Sequence, residues 1–397
     1  MVKSQLAFQP PVKDYLAVAR QVAQSLAETA VARDRSADLP HQEVRLLKES
    51  GLLLLPVPRH YGGVGATWPE TYRALQTIAH AEGSTAQLYA NHISLVALAE
   101  VMGRPGQAEF YYRLTAERNL FWANALNGRD ARLHITPVDN HFRLNGVKSF
   151  GTGMAVADMR VIGAKQAGID PPIVCVLPSD RDGIVYNDDW QNMGQRCTAS
   201  GSYRFQNVFV QAEELMGPPP LPDSALPTLI FLIAQLAKTY TYLGLAEGAL
   251  QAAKNYTATQ TRPWIDAGVD RATHDPYILK HYGELWTQLQ AAIALSDQAA
   301  AKVQAGWQQG LALTFEERGD IAIAVSAAKA FVTQVGLAIC NRMFEVMGAR
   351  ATAAHYGYDR YWRDLRTFTL HDPVDYKFKA VGDWLLNGQY PLASQYS

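Results

Sequence analysis

The sequence predicts an α+β chain: helices first, a compact β domain in the middle, a helical bundle last. Three observations carry that order. Apolar residues recur at helical spacing over residues 10–118. The period shortens to that of strands over 119–222, then returns to helical from 223 to 397. The strands are not interleaved with helices, and no G-x-G-x-x-G follows one, which speaks against a doubly wound nucleotide fold. The predicted domains are therefore an N-terminal helical domain (1–118), a middle β domain (119–222) and a C-terminal bundle (223–397).

In the first domain Tyr15, Leu16, Ala19, Val22, Ala23 and Leu26 form one apolar stripe. Pro40 breaks the chain, and residues 43–50 continue as a short helix ended by Gly51. Residues 61–65 (YGGVG) read as a turn, and Trp68-Pro69-Glu70 opens the next helix. Ser84 or Thr85 is placed to cap a further helix with the stripe Leu88, His92, Leu95, Ala99 and Met102.

Residues 121–125, 142–150, 159–164, 173–177 and 203–210 read as short strands separated by Gly, Asp and Pro. Their length and spacing predict a barrel or sandwich, with Asn145-Gly146 as a hairpin turn. After the linker Pro218-Pro219-Pro220-Leu221-Pro222, one long helix is expected over 228–256. Asp275 and Pro276 start a second that runs toward Trp307, and Thr314 with Glu317 makes a capping box for a third through Met347. With a C-terminal helix these make a four-helix bundle.

Composition narrows the function classes. The chain has 397 residues, 48% of them hydrophobic and 18% charged, enough apolar material for a large core and some surface buried between subunits. A net charge of −1 gives no pull toward nucleic acid or an anionic membrane. Cys175, Cys197 and Cys340 are odd in number and widely spaced, against a disulfide framework and in keeping with a reducing compartment. The cysteines and histidines lack metal-ligand spacing, so no metal is expected. The first residues lack a signal-peptide core, and the most apolar stretch, 226–237, stops at Lys238, too short to span a bilayer. A cytoplasmic protein is the expectation.

The densest chemistry lies in residues 344–390. Arg350, Arg360, Arg363 and Arg366, with Gly348 and Gly357 between them, read as an anion and cofactor site. Asp372 is placed to cap a last helix starting at Pro373, with Val374, Phe378, Val381 and Leu385 as its stripe and Asn387-Gly388 as its stop. His371 then sits before a helix N-terminus, where the dipole disfavours a charged imidazole. It is read as a neutral hydrogen-bonding catalytic group, or more plainly as a surface histidine beside a cap.

The order of domains resembles the acyl-CoA dehydrogenase fold. Residues 46–65 (LLKESGLLLLPVPRHYGGVG) look like its N-terminal signature, and Lys148-Ser149-Phe150-Gly151-Thr152 resembles its flavin-facing strand. Residues 194–210 (GQRCTASGSYRFQNVFV) resemble the strand pair closing the β domain, and Gly348-Ala349-Arg350 the glycine turn at the cofactor's distal end. An acyl-CoA dehydrogenase needs a carboxylate base to take the α-proton of a thioester. Where the family places that base, this chain has Leu370-His371-Asp372-Pro373. Its other location, the first helix of the bundle, has no Asp or Glu between Asp223 and Glu247.

Arg363-Asp364-Leu365-Arg366-Thr367, residues 370–377 and 382–386, residues 121–127 (FWANALN) and Thr261-Arg262-Pro263-Trp264 resemble instead the flavin monooxygenases of this fold, which include dibenzothiophene and dimethylsulfone monooxygenases and amine N-hydroxylases. The resemblance implies reduced FMN as cosubstrate, with FAD left open, delivered by a separate flavin reductase. It implies a C4a-hydroperoxyflavin that oxygenates a small, largely apolar substrate containing sulfur or nitrogen.

It also assigns roles. His92 and His371 would be catalytic, as neutral N–H donors on two walls of one pocket; the plainer reading of His92 is a satisfied core histidine. Asn124 and Asn127 would bond the flavin's pyrimidine edge, or be turn asparagines. Phe150 and Thr152 would face the ring and its N5 region. Trp190 and Gln195, with Arg196, would line the substrate side. Arg262, and Gly348 with Arg350 and Thr352, would hold phosphate, the first from a neighbouring subunit, which implies a dimer or tetramer. Two alternatives remain: an FAD-dependent acyl-CoA dehydrogenase with Asp372 as base, and a catalytically inert oligomeric scaffold.

Overall fold

The computed structural model describes residues 14–217 and 224–397. The Pro218–Pro222 linker, and with it the domain boundary placed at 222 and 223, lies outside the described residues.

Five helices come first: α1 (Tyr15–Ser36), α2 (His41–Ser50), α3 (Trp68–Ala79), α4 (Gly83–Met102) and α5 (Gln107–Arg118). Asp14 starts α1 by accepting from the Ala17 N–H at 2.9 Å, and Gly51 ends α2 at φ 74°. Neither Ser84 nor Thr85 caps α4. Glu82 does, its two carboxylate oxygens accepting from the Ser84 and Thr85 N–H groups at 2.9 and 2.7 Å. The longer acidic side chain reaches back and meets the dipole's positive end. The α4 stripe is wider than predicted, because Ile93, Val96 and Ala97 are buried along with Leu88 and His92. The helix packs against α3, the long helix Leu226–Thr259 and the sheet.

The middle segment is one seven-stranded mixed sheet: β1 (Trp122–Ala125), β2 (His134–Val138), β3 (His141–Lys148), β4 (Met159–Gln166), β5 (Ile169–Pro178), β6 (Ile184–Tyr186) and β7 (Tyr203–Gln211). Strand order is β1-β4-β2-β3-β7-β6, with β5 also on β4. Two strands escaped the sequence pattern. β2 buries only Ile135, so it shows no alternation, and β6 has three residues. Asn145-Gly146 is not a hairpin turn. It lies inside β3 as a bulge against β7, with Gly146 at φ 129° and the Asn145 side-chain carbonyl accepting from the Asn207 N–H at 2.8 Å.

The C-terminal part contains α6 (Leu226–Thr259), α7 (Pro276–Gln309), α8 (Phe315–Met347), α9 (Asp359–Thr369) and α10 (Asp375–Asn387). The predicted caps of α7 and α8 form: Asp275 accepts from the Tyr277 N–H at 2.9 Å, and Thr314 and Glu317 bond reciprocally. The C-terminal helix expected from Pro373 is α10, and α9 before it is a further helix that the sequence reading did not foresee. α6 runs past Lys238 to Thr259, long and apolar enough to cross a bilayer, yet 89% of its most apolar window is buried against protein. Close crossing of α6 on α3 needs glycine, since a Cβ on Gly248 would stand 2.1 Å from the His80 carbonyl oxygen. All three cysteines are free and buried.

Candidate active site

His92 is fully buried in α4, and both of its nitrogens are bonded inside the protein. Nε2 lies 2.9 Å from the Leu53 carbonyl, and Nδ1 accepts from the Trp122 N–H at 3.1 Å. Those partners fix a neutral Nε2–H tautomer. Burial pushes its pKa down to about 4. The expectation that His92 offers a free N–H to a cofactor is thus corrected. It ties the 52–54 turn and α4 to the first residue of β1, and Phe121 stacks on it at 5.6 Å.

Two residues along β1, Asn124 is half-buried, and its amide makes no hydrogen bond among the described residues. Asn127 behaves as a turn asparagine: its oxygen accepts from the Arg129 N–H at 3.1 Å, and its amide reaches the Ser149 hydroxyl at 3.4 Å. Behind this loop Asp130 accepts from the Ser149 N–H and hydroxyl at 2.8 Å each, holding the start of 149–152. Phe150 takes φ 57°, a conformation costly for a side chain with a Cβ, and leaves 54% of its surface exposed. The Trp190 ring meets its edge at 6.1 Å. Thr152 is buried at the head of a hydroxyl chain, 2.8 Å from the Ser200 hydroxyl, which is 2.7 Å from that of Thr198.

Gln195 does not line an open face. It is buried, with its N–H donating to the Asp364 carboxylate at 2.6 Å and its amide to the Asp364 carbonyl at 3.3 Å. It braces the 195–200 loop against α9, and Trp190 Nε1–H donates to its carbonyl at 2.8 Å. Arg196 likewise turns away, donating to the Asp34 carbonyl at 2.6 Å.

Asp372 is buried rather than capping α10, whose first turn has no side-chain cap. Its Oδ1 meets the Lys329 ammonium at 2.5 Å and the His371 Nδ1 at 2.9 Å, and its Oδ2 lies 3.2 Å from Lys377 Nζ. Burial alone would raise its pKa. The His371 hydrogen bond and the two lysines more than offset that and hold it below the usual carboxylate range. Because the carboxylate can only accept, His371 carries its proton on Nδ1, and Nε2 is left as a lone pair with no partner among the described residues. The His371 side chain keeps 38% of its surface exposed, yet the crowding around the ring, then the ammonium groups of Lys238 and Lys329, lower the imidazole's basicity against the pull of Asp372, which favours the neutral ring. This corrects the predicted role: the free nitrogen of His371 accepts a proton rather than donates one.

The chain's last residues join this cluster to the β domain. The Lys377 ammonium donates to the Tyr396 carbonyl, and Tyr396 meets the His371 ring edge-on at 6.0 Å. Gln235 on α6 donates to the Gln395 carbonyl at 3.4 Å, and the Gln395 side chain packs over Gly128, beside Asn127. Arg262, Gly348, Arg350 and Thr352 lie elsewhere, exposed where α6 and α8 end, with Arg350 donating to the Gln260 carbonyl at 2.7 Å. Thr352 bonds only locally, to the Ala349 carbonyl at 2.7 Å.

The lysines were missed by the sequence reading. Their signal was visible: Lys238 and Lys329 interrupt long apolar helices, where a cation needs a reason.

Family models for the acyl-CoA dehydrogenase N-terminal and C-terminal domains match residues 14–117 and 236–376. This chain belongs to the acyl-CoA dehydrogenase family. It is 41% identical over 98% of its length to a probable FMNH2-dependent monooxygenase, SfnC, of Pseudomonas putida, and spans 98% of that relative. It superposes on methanesulfinate monooxygenase MsuC of Pseudomonas fluorescens with a TM-score of 0.94 at 40% identity, covering 97% of this chain and 100% of that one. TdsC from Paenibacillus sp. A11-2, solved with FMN and indole, matches with a TM-score of 0.92 at 37% identity, covering 96% and 100%.

Asp372, the carboxylate at the expected place of an acyl-CoA dehydrogenase base, is locked by two ammonium groups. The residues present fit a flavin. Phe150 offers an exposed ring, Asn124 an unpaired amide, and Arg262 and Arg350 exposed guanidinium groups of phosphate-binding type.

Proposed function

We propose that this chain is a flavin-dependent monooxygenase that takes reduced FMN from a partner reductase and oxygenates a small sulfur- or nitrogen-containing substrate in the cytoplasm. The observation that carries the reading is the Asp372–His371 pair, 2.9 Å apart, with the carboxylate committed and one imidazole nitrogen open. Reduced FMN, when bound, supplies the electrons that let one atom of dioxygen pass to the substrate. Phe150 would pack on the flavin ring, and Asn124 and the Thr152 hydroxyl would bond its polar edges. His371 Nε2 would hold the proton that moves as the oxygen–oxygen bond breaks, and Asp372 would keep that nitrogen aimed through Nδ1. Thr152, backed by Ser200 and Thr198, would orient a polar atom at fixed distance.

Arg262 and Arg350 are about 30 Å along α6 from the Lys238–His371 level, at 1.5 Å per residue. That is farther than one FMN spans, which supports sharing of each site between two copies of the chain. The apolar exposed side chains of α10 and its tail (Leu385, Leu386, Leu392), and Trp264 and Ile265, support burial in a dimer or tetramer.

The dehydrogenase alternative needs Asp372 free to take a carbon-bound proton, and its two lysine partners oppose that. Titration of the purified protein with reduced FMN under anaerobic conditions, followed by 18O2 and, in separate runs, a thioether and a sulfinate, tests the proposal. Reduced-flavin binding and an 18O-labelled sulfoxide or sulfonate are expected. Bleaching of a bound FAD by an acyl-CoA thioester would overturn it.

A further inference from the structure

Three lysines surround one carboxylate at the His371 end of the site, and they are not equally provided for. Lys329, 2% exposed, donates to Asp372 and to the Gln235 side-chain carbonyl. Lys377 meets Asp372 and the Tyr396 carbonyl. Lys238, 8% exposed on α6, makes one weak bond, 3.3 Å to the Ala234 carbonyl of its own helix. An ammonium has three N–H donors, so two of them are unpartnered at a place where water is largely excluded. Three lysines thus face one carboxylate beside a neutral His371, and burial, Lys377 and Lys238 push Lys329 down to about 7 against the pull of Asp372, so the excess of positive charge is already strained.

A surplus buried cation is costly unless an anion meets it. Lys238 is close enough to His371 to be the leading charge acting on that imidazole, and behind Asp372 and Lys377 it also acts on Lys329. Its own pKa is pushed down to about 8, first by burial and then by Lys377, against the pull of Asp372. Lys238 therefore stays mostly charged at neutral pH, poised to lose its proton just above it.

We infer that Lys238 is the specificity-determining residue of this site and selects a small organic oxyanion, such as a sulfinate, as the oxygenase substrate. The inference rests on the monooxygenase reading. Because the Lys238 charge acts on the His371 imidazole, and both surround Asp372, the bound charge would lie on or next to the reacting atom. A sulfinate meets that condition, since the sulfur to be oxidised carries the charged oxygens. A fused aromatic thioether does not, and it would leave the ammonium buried without a partner.

The experiment is a calorimetric titration of the full-length protein, flavin-free and FMN-saturated, with sodium methanesulfinate and separately with indole. Wild type should bind methanesulfinate, with affinity falling as pH rises through about 8. Lys238→Met should weaken it by about tenfold to a hundredfold, the cost of a lost charged hydrogen bond. Lys238→Arg should recover most of that, and Lys238→Met should bind indole at least as tightly as wild type. Methanesulfinate binding that is unchanged in Lys238→Met would overturn the inference. So would loss of reduced-FMN affinity alone, which would assign the ammonium to the cofactor. Wild type that binds reduced FMN and indole but ignores methanesulfinate sinks this inference and leaves the monooxygenase reading standing. Wild type that binds no reduced flavin sinks the reading itself.

Discussion

His371 donates from Nδ1 to Oδ1 of Asp372 over 2.9 Å, and the same oxygen takes the Lys329 ammonium at 2.5 Å. One carboxylate thereby sets the tautomer of its neighbour and neutralises a buried cation. The two duties separate under mutation. His371→Ala should lower the rate of oxygenation about 10²–10⁴-fold, the usual weight of a positioned proton-transfer group, while leaving reduced-FMN binding intact. Single-turnover product formation at saturating flavin checks this.

Asp372→Asn should instead act mainly on stability. It strands Lys329 and Lys377, both buried, without a counter-charge, a change that costs about 3–5 kcal/mol. Thermal unfolding should show a large drop in Tm. Lys329→Met in the same chain should recover part of it, because the stranded charge is then gone. Recovery absent in the double variant would mean that the pair does not act as a unit.

His92 gives a pH signature that distinguishes bracing from catalysis. Its folded-state pKa of about 4 lies below the ordinary 6.5, so between those values the unfolded chain binds more protons than the native one. Stability should therefore be fully present above pH 6.5 and fall as pH drops toward 4, by about 3 kcal/mol at 1.4 kcal/mol per unit. His92→Gln should flatten that slope in urea unfolding at pH 5 and 7.5. It should also keep reduced-FMN affinity, since neither ring nitrogen is open to a ligand.

Much of the fold was legible because its signals are local. Gly51, Asp275 with Pro276, and Thr314 with Glu317 all end or start helices as their chemistry dictates. The misreadings share one cause, long-range packing. Glu82 displaced Ser84 as a cap because its carboxylate is buried at the helix end beside Arg33, 3.8 Å away. Asp372 left the α10 terminus for a lysine 43 residues earlier. Asn145-Gly146 became a bulge because β7 pairs on both sides of it. For the site, residue type was readable but not direction. Imidazole, amide and arginine stood out in the sequence, whereas only the fold shows that His92 is spent on backbone partners and that Lys238 lacks one.

Phe150 stores strain at an exposed ring, and its two effects should move in opposite directions. Phe150→Gly removes the left-handed penalty, about 1 kcal/mol, so the protein should unfold no more easily and at best slightly later. The same change removes the aromatic face proposed to lie on the flavin and the partner of Trp190. FMN affinity should fall while Tm holds or rises. A variant that loses stability instead would show that the ring is packed for structure.

Sharing of the site between copies makes the last prediction. Arg262 is exposed and without a partner among the described residues, about 30 Å along α6 from the His371 level at 1.5 Å per residue. If its guanidinium meets the phosphate of a flavin whose ring lies beside His371 of another copy, each residue is needed only once per site. Arg262→Ala and His371→Ala homo-oligomers should then both be nearly inactive, the first through weakened FMN binding and the second through lost proton transfer. Co-expressed from two differently tagged genes and purified through both tags, the mixed oligomers should regain activity, because some sites then pair an intact Arg262 with an intact His371. Such rescue cannot occur if both residues serve a site inside one chain, since every chain in the mixture carries one defect. Sedimentation of each preparation, at a mass above one chain, confirms that the comparison is made between equal assemblies. Activity that stays at the homo-oligomer level would overturn sharing between copies, and unchanged FMN affinity in the Arg262→Ala homo-oligomer would place Arg262 outside the flavin site.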